Sequence, residues 1–257
     1  MSTTGLKLIA LLFMLFDHVY TFIWDMPIYL GWLGRLAAPI FIFCMVWGLH
    51  YTHDRTKYLK NMYFWNLGMA VGDVIVSYMV RGAKTTPNNN IFTTLLLIGI
   101  IVTIIECFRN DRKQKAIKML VLFLAIQVVG TLLFLFVSAF LPKGYNLYVL
   151  PVSFFPNVLF CEGGFLWVAL GVILYFTKER KVLYSAAIIL YSLIIPLFLG
   201  AEFTFHSLFF ENYEWMIIGA LPFMLCYNEK KGHGFKWLFY IFYPTHIFLL
   251  CWIGSFL

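Results

Sequence analysis

The chain has 257 residues, of which 62% are hydrophobic and only 12% are charged, and its formal net charge is +7. A soluble globular domain carries about twice that share of charged residues, so the composition excludes that class and indicates a polytopic membrane protein in a lipid bilayer. The surplus of Lys and Arg does not indicate a nucleic-acid partner, because positive charges in short loops are what orients a protein in a membrane.

Nine stretches of the sequence are apolar enough to cross a bilayer, which takes about 20 residues of helix. In chain order they are residues 5–24, 30–50, 59–79, 91–108, 116–140, 158–176, 182–200, 208–227 and 236–256. No internal repeat or low-complexity linker divides them. The sequence therefore predicts an all-α membrane bundle of about nine transmembrane helices that forms one domain over residues 1–257.

The charges in the connections predict how this bundle is oriented. Four connections are basic, namely residues 54–60, 109–118, 178–181 and 229–236, and they alternate with four that are poor in positive charge or net acidic. Because positive loops stay on the cytoplasmic side, we expect a cytoplasmic N-terminus and an external C-terminus. The expected location is the cell membrane, as a multi-pass protein of the bacterial cytoplasmic membrane.

The first stretch, GLKLIALLFMLFDHVYTFIW, contains ionisable groups at membrane depth. Such groups cost several kcal/mol or more and mark functional sites. Lys7 and His18 are eleven residues apart, so they project from the same helix face about 16 Å apart along the axis. Asp17 points about 100° away from His18. We expect Asp17 to pair instead with Arg35, because a short turn makes the first two helices antiparallel neighbours.

Further polar residues fall in the outer half of the predicted bundle or at its outer rim, and His246 lies nearer the midplane, two residues after Pro244. Pro244 removes a backbone donor from the last helix, which makes a cavity at His246 plausible. An imidazole at this depth is suited to proton transfer, because its pKa is normally near neutral pH. The residues interpreted as facing the substrate are Asp73, Glu162, Glu202 and His206.

Each of these residues also has a purely structural interpretation. Asp17 and Arg35 are equally well explained as an ion pair that fixes the first hairpin. Lys7 is explained as a snorkelling anchor at a helix end, and Asp73 and Glu162 as interhelical hydrogen-bonding groups. Both interpretations stay open at the level of the sequence.

Four ordered stretches, GLKLIALLFMLFDH, GRLAAPIFIF, NNNIFTTLLLIG and FYPTH, resemble the TraX family, whose named member N-acetylates conjugative pilin. The similarity runs from the N-terminus to the last predicted helix. It departs from the family around Asp73, where the chain reads MAVGDV and TraX-like sequences often carry an acidic residue and a proline. The Lys7 to His18 spacing also resembles the basic residue and histidine of the wider integral-membrane acyltransferases.

The resemblance implies transfer of an acetyl or short acyl group from cytoplasmic acyl-CoA, with acetyl-CoA as the expected donor, to an acceptor at the outer face. His18 would act as general base or carry the acyl group, and Asn90 would donate a hydrogen bond to the oxyanion. The catalytic candidates are His18, Asp17, Arg35, Asn90 and His246. The candidates for binding the coenzyme phosphates are Lys7, Arg55, Lys57 and Lys60.

Two rival functions remain open. A small proton-coupled transporter or flippase also uses intramembrane Asp, His and Arg, although the sequence lacks paired Gly/Pro-interrupted segments in two halves. A membrane scaffold would use the same groups only for helix pairing. The five cysteines lack CxxC spacing, so no metal site is predicted. For the acyltransferase, the acceptor stays open: the expected classes are an amine or a hydroxyl on a peptide or protein N-terminus, a glycan or a lipid-linked sugar.

Overall fold

The computed structural model describes residues 1–80, 84–88, 90–140 and 146–257. Helices are the only regular elements in these ranges. They are α1 (Thr3–Phe22), α2 (Tyr29–Gly34), α3 (Ala37–Tyr51), α4 (Arg55–Met79), α5 (Ile91–Arg109), α6 (Lys113–Phe140), α7 (Val149–Phe154), α8 (Gly164–Thr177), α9 (Lys181–Phe198), α10 (Leu221–Leu225) and α11 (Lys236–Gly254). A π-helical turn (Ser207–Glu211) and a 3-10 helix (Tyr213–Ala220) lie between α9 and α10. The all-α prediction is thus confirmed for the described part of the chain.

Six helical stretches are long and apolar enough to cross a membrane, counted over the residues that the structure describes. They are Thr3–Phe22, Tyr29–Tyr51, Ile91–Arg109, Lys113–Phe140, Lys181–Phe198 and Trp237–Gly254. They coincide with six of the nine predicted stretches, and they support a membrane protein.

The other three predicted stretches do not meet the same standard. The stretch 59–79 lies in α4, which is 25 residues long but too polar. The stretch 158–176 becomes helical only in α8, which has 14 residues. The stretch 208–227 is divided among a π-helical turn, a 3-10 helix and α10. Length and composition therefore support six crossings and not nine, and the orientation of the termini stays a prediction.

The chain forms two compact units. Unit 1 comprises residues 1–48, 82–85 and 173–257, and unit 2 comprises residues 49–81 and 86–172. Whether residues 1–257 also act as one domain stays a prediction.

In unit 1, α1 packs against both α2 and α11. Ser2 caps α1, since its hydroxyl accepts a hydrogen bond from the amide of Gly5 at 3.2 Å. The contacts of α1 with α11 and with the segment before it follow the same order in both segments: Thr3 bonds Lys230, Lys7 contacts Phe239, and His18 contacts His246. The two helices are therefore parallel.

The contact between α1 and α2 depends on Gly34. A Cβ atom on Gly34 would lie 2.3 Å from Oδ1 of Asp17. Only glycine leaves room for this carboxylate beside the end of α2. Gly34 therefore allows Asp17 to reach the neighbouring residue, Arg35, and form an ion pair with it.

In unit 2, α4 packs against α5 and α7, and α6 packs against α5 and α7. The buried face of α4 is formed by Met62, Asn66, Met69, Ala70, Asp73 and Ser77, a repeat of three and four residues that puts them on one side of the helix. Two of the polar residues on this face, Asn66 and Asp73, are completely buried.

Candidate functional site

His18 of α1 and His246 of α11 form a direct hydrogen bond. Nδ1 of His18 lies 2.6 Å from Nε2 of His246, and the ring centroids are 4.8 Å apart. His246 is buried and His18 is partly exposed. Both histidines were catalytic candidates, and the structure brings them together as one pair within unit 1.

A backbone carbonyl fixes the protonation of His246. Its Nδ1 lies 2.6 Å from the carbonyl oxygen of Phe242. A carbonyl can only accept a hydrogen bond, so Nδ1 carries the proton. In the neutral ring Nε2 then holds a lone pair and accepts the hydrogen bond from Nδ1–H of His18. This leaves Nε2 of His18 as the unprotonated nitrogen of the pair.

Aromatic rings hold this pair in place. Phe242 stacks on His246 with centroids 4.6 Å apart and 18° between the planes. The ring centroid of His18 lies 5.8 Å from that of Phe22 and 6.3 Å from that of Tyr243. Packing on several sides restricts ring rotation, so the hydrogen-bonded orientation of the two imidazoles is maintained.

Lys7 occupies the other end of the same contact. Its Nζ lies 5.2 Å from the ring centroid of Phe239 in α11, within the range of a cation–π interaction. The prediction that Lys7 and His18 share one face of α1 is confirmed, since both contact α11. The role of Lys7 in binding the coenzyme stays a prediction.

Arg35 is held by two carboxylates. It forms an ion pair with Asp17, as predicted, and its Nη1 donates to Oε1 of Glu214 at 2.5 Å. The ring of Tyr213 lies beside the guanidinium, 5.7 Å from Cζ to the centroid. Asp17 and Arg35 do not contact His18 through any hydrogen bond within the described ranges, so the arrangement fits a structural clamp; their catalytic role stays a prediction.

The sequence-based interpretation missed Glu214. In the sequence, Glu214 lies within the predicted stretch 208–227 and was not among the candidate residues. An arginine at membrane depth has five donors, and a single carboxylate cannot satisfy them all. A search for a second acidic residue near the same depth would have found Glu214.

Asn90 serves the fold of unit 2. Its Oδ1 caps α5 by accepting from the amide of Thr93 at 3.3 Å, and its Nδ2 donates to Oδ1 of Asn66 at 3.1 Å. Asn66 also accepts from the hydroxyl of Thr93 at 2.6 Å and donates to the carbonyl of Ser153 at 2.8 Å. The predicted oxyanion role of Asn90 stays a prediction, and the structure shows a capping role.

Asp73 has a different environment from Asn66 on the same face of α4. It is completely buried, and neither carboxylate oxygen has a hydrogen-bond partner among the described residues. Glu162 is close enough for its charge to act on Asp73. The backbone carbonyl of Glu162 accepts a hydrogen bond from the hydroxyl of Thr94 at 2.6 Å.

The remaining candidates lie on exposed parts of the chain or in ion pairs. His206 is exposed, with Nδ1 at 3.5 Å from Oε1 of Glu211, and Glu202 is exposed as well. Arg55 forms an ion pair with Glu106. The other two coenzyme candidates in unit 2, Lys57 and Lys60, are exposed.

Comparison with known proteins gives one match. The family model described as "TraX protein" matches residues 2–254, nearly the whole chain. No curated protein matches the sequence, and no solved structure matches the fold.

Proposed function

Because the chain belongs to the TraX family, we propose that it is a membrane-embedded acyltransferase that moves an acetyl or short acyl group from acyl-CoA to an amine or hydroxyl acceptor. The observation that carries the proposal is the hydrogen-bonded series from the carbonyl of Phe242 through His246 to His18. This series leaves Nε2 of His18 without a proton, which is what a general base requires.

The proposed reaction starts when an acceptor N–H or O–H approaches Nε2 of His18. The nitrogen or oxygen attacks the carbonyl carbon of the thioester while Nε2 takes the proton. The C–S bond then breaks, and the leaving thiolate receives the proton from the His18 imidazolium, which yields free CoA thiol and the acylated acceptor. His246 stays hydrogen-bonded to Nδ1–H of His18 throughout and stabilises the imidazolium.

His18 also suits the alternative in which it carries the acyl group. The same lone pair on Nε2 would attack the thioester carbon, and the C–S bond would break with CoA leaving as the thiolate. The acceptor would then attack the acyl-imidazole, which frees Nε2, and the proton of the acceptor would go to the thiolate. Rapid quenching after mixing with labelled acetyl-CoA distinguishes the two routes, because only the second leaves label on the protein before the acceptor is added.

The proposed topology places the donor inside and the acceptor outside the cell, as the alternation of loop charges favours. Lys7, one end of the α1–α11 contact, would face the cytoplasmic coenzyme. His18, about 16 Å further along the axis, would meet the acceptor from the outer side.

The experiment compares purified wild-type protein with His18→Ala in the presence of labelled acetyl-CoA, with release of CoA thiol and of label as readouts. Losing a positioned general base lowers such a rate by about 10²- to 10⁴-fold. The matched control is His53→Ala, an exposed histidine outside the pair. Full activity in a His18→Ala protein of wild-type thermal stability would refute the assignment.

A proton-coupled transporter or flippase is the second candidate. The observation in its favour is the buried Asp73 carboxyl, which has no hydrogen-bond partner in the described part of the chain, since intramembrane carboxyls also serve proton pathways. In liposomes a transporter would move solute and leave acetyl-CoA intact. Consumption of the thioester without such transport supports the acyltransferase.

A further inference from the structure

The segment before α11 has a fixed position against the start of α1. The amide of Thr3 donates to the carbonyl of Lys230 at 2.9 Å, and the hydroxyl of Thr4 donates to the carbonyl of Lys231 at 3.1 Å. Backbone groups are thereby used for attachment. The side chains of Lys230 and Lys231 are exposed and remain available for a ligand.

Gly232 is required for this attachment. Its φ is +73°, in the left-handed region that favours glycine. A Cβ atom there would lie 2.7 Å from Oγ of Ser2 and 2.9 Å from Oγ1 of Thr4. A larger residue would therefore push the segment away from α1 and move both lysines.

The attachment brings positive charges together. The charge of Lys231 acts on the ammonium group of Lys7, which lies over the ring of Phe239. No carboxylate within the described ranges forms an ion pair with Lys7. Like charges held near one another repel, and binding of an anion relieves that repulsion.

The basic connection 54–60 differs in this respect. Arg55 forms an ion pair with Glu106, so part of the charge of that connection is already neutralised. The segment 230–233 carries one acidic neighbour, Glu229, against Lys230 and Lys231.

Lys7, Lys230 and Lys231 lie near the start of α1, at a defined distance from the histidine pair. They lie at one end of the contact between α1 and α11, and the histidine pair lies at the other end, in the same unit. Lys7 and His18 are about 16 Å apart along the helix axis. Acyl-CoA has the same arrangement, with its phosphates and its thioester at opposite ends of an extended pantetheine arm.

Resting on the proposed acyltransferase function, we propose that Lys230 and Lys231, together with Lys7, bind the phosphate groups of acyl-CoA. The segment held by Gly232 is then the phosphate-binding element, and the pantetheine arm follows α1 toward His18. Anionic lipid headgroups offer the same phosphate chemistry, so the test separates the two sources.

The test measures binding of CoA, dephospho-CoA and acetylpantetheine to the full chain in detergent by calorimetry. Lys230→Gln/Lys231→Gln should raise the Kd for CoA about tenfold or more, since charge-assisted hydrogen bonds are lost. The same variant should leave the Kd for acetylpantetheine, which has no phosphate, unchanged. Gly232→Ala should weaken CoA binding in the same way without removing a charge.

The matched control is Lys113→Gln/Lys115→Gln, which removes two exposed positive charges from another basic connection and should bind CoA like the wild type. Equal losses in both double variants, or unchanged CoA binding in Lys230→Gln/Lys231→Gln, would overturn the proposal. The proposal is also overturned if Lys230→Gln/Lys231→Gln binds CoA normally and loses only its retention of phosphatidylglycerol in nanodiscs, because the lysines would then bind lipid headgroups. If the wild type does not bind CoA at all, the proposed acyltransferase function is refuted as well. If the wild type binds CoA and Lys230→Gln/Lys231→Gln binds it equally well, only the phosphate-binding role of the segment is refuted.

Discussion

His246 is buried between a backbone carbonyl and His18, so its place in the proposed reaction is to position the base. We predict that His246→Leu lowers the acyl-transfer kcat by about 10²-fold, because His18 loses the acceptor that selects its tautomer. His246→Gln should recover most of that loss, since its amide oxygen can accept from Nδ1–H of His18.

The measurement is a pH profile of kcat, together with the KM for acetyl-CoA. A positioning role changes kcat and the pH profile while the KM stays within about twofold. A loss in His246→Gln as large as that in His246→Leu would indicate that the imidazole itself takes part in the chemistry.

Asn66 and Asp73 lie on one buried face of α4, but only Asn66 is hydrogen-bonded among the described residues. Asn66 makes hydrogen bonds to Ser153, Asn90 and Thr93. We predict that Asn66→Ala lowers the free energy of unfolding by about 2–4 kcal/mol, because it leaves several buried groups unpaired.

Asp73→Ala should change stability by less than about 1 kcal/mol, because its buried carboxyl makes no hydrogen bond with the residues that the structure describes. Thermal unfolding in detergent measures both variants. A loss in Asp73→Ala equal to that in Asn66→Ala would contradict the prediction and would mean that Asp73 has a partner in the folded protein.

At the scale of elements, Arg35 joins the end of α2 to α1 and to the 3-10 helix Tyr213–Ala220. The side chains of Arg35, Asp17 and Glu214 are 23%, 19% and 28% exposed, so solvent screens them only in part. We predict that Arg35→Gln lowers the free energy of unfolding by about 1–3 kcal/mol, since it leaves two carboxylates facing each other.

Asp17→Asn should cost less than Arg35→Gln, because Glu214 still neutralises the arginine. The control is Arg180→Gln, an exposed arginine, which should be close to neutral. The prediction fails if Arg35→Gln unfolds at the wild-type temperature.

The sequence predicts local relations between elements better than contacts between distant ones. The pairing of Asp17 with Arg35 follows from a short turn between adjacent helices. The pair His18 and His246 joins residues 228 positions apart, and hydropathy carries no information about which helices are neighbours. Two of the most important contacts of the site, those of His246 and Glu214, therefore required the structure.

The helix within the stretch 158–176 begins later than predicted, at Gly164, for a tertiary reason. The first residues of this stretch are apolar, but side chains of α6 hold them out of a helix. Gln127 accepts from the amide of Val158 at 2.8 Å and donates to the carbonyl of Pro156 at 2.9 Å. Asn157 donates to the carbonyl of Gln127 at 2.9 Å. Hydropathy averaged along the chain cannot register these bonds.

At the scale of the whole molecule, the parallel packing of α1 and α11 constrains the topology. Two parallel helices that both cross a membrane are joined by an odd number of crossings, so the total from α1 to α11, counting both helices, is odd. The six long apolar stretches give an even total. An odd number of the three remaining segments must therefore cross as well, and α4, at about 37 Å for 25 residues, is long enough.

We predict that all three cross, which restores nine crossings. Single cysteines, introduced in a Cys226→Ser background because Cys226 is the exposed native thiol, would be labelled with an impermeant maleimide in intact and in permeabilised cells. The internal positions are expected to be Lys57, Lys115, Lys181 and Lys230, and the external positions Asp25, Asn88, Phe203 and Ser255. Lys115 decides between the two topologies. If only the six long stretches cross, both ends of α4 lie on the cytoplasmic side, α5 crosses outward and Lys115 is labelled from outside. With nine crossings, Lys115 lies inside together with Lys57.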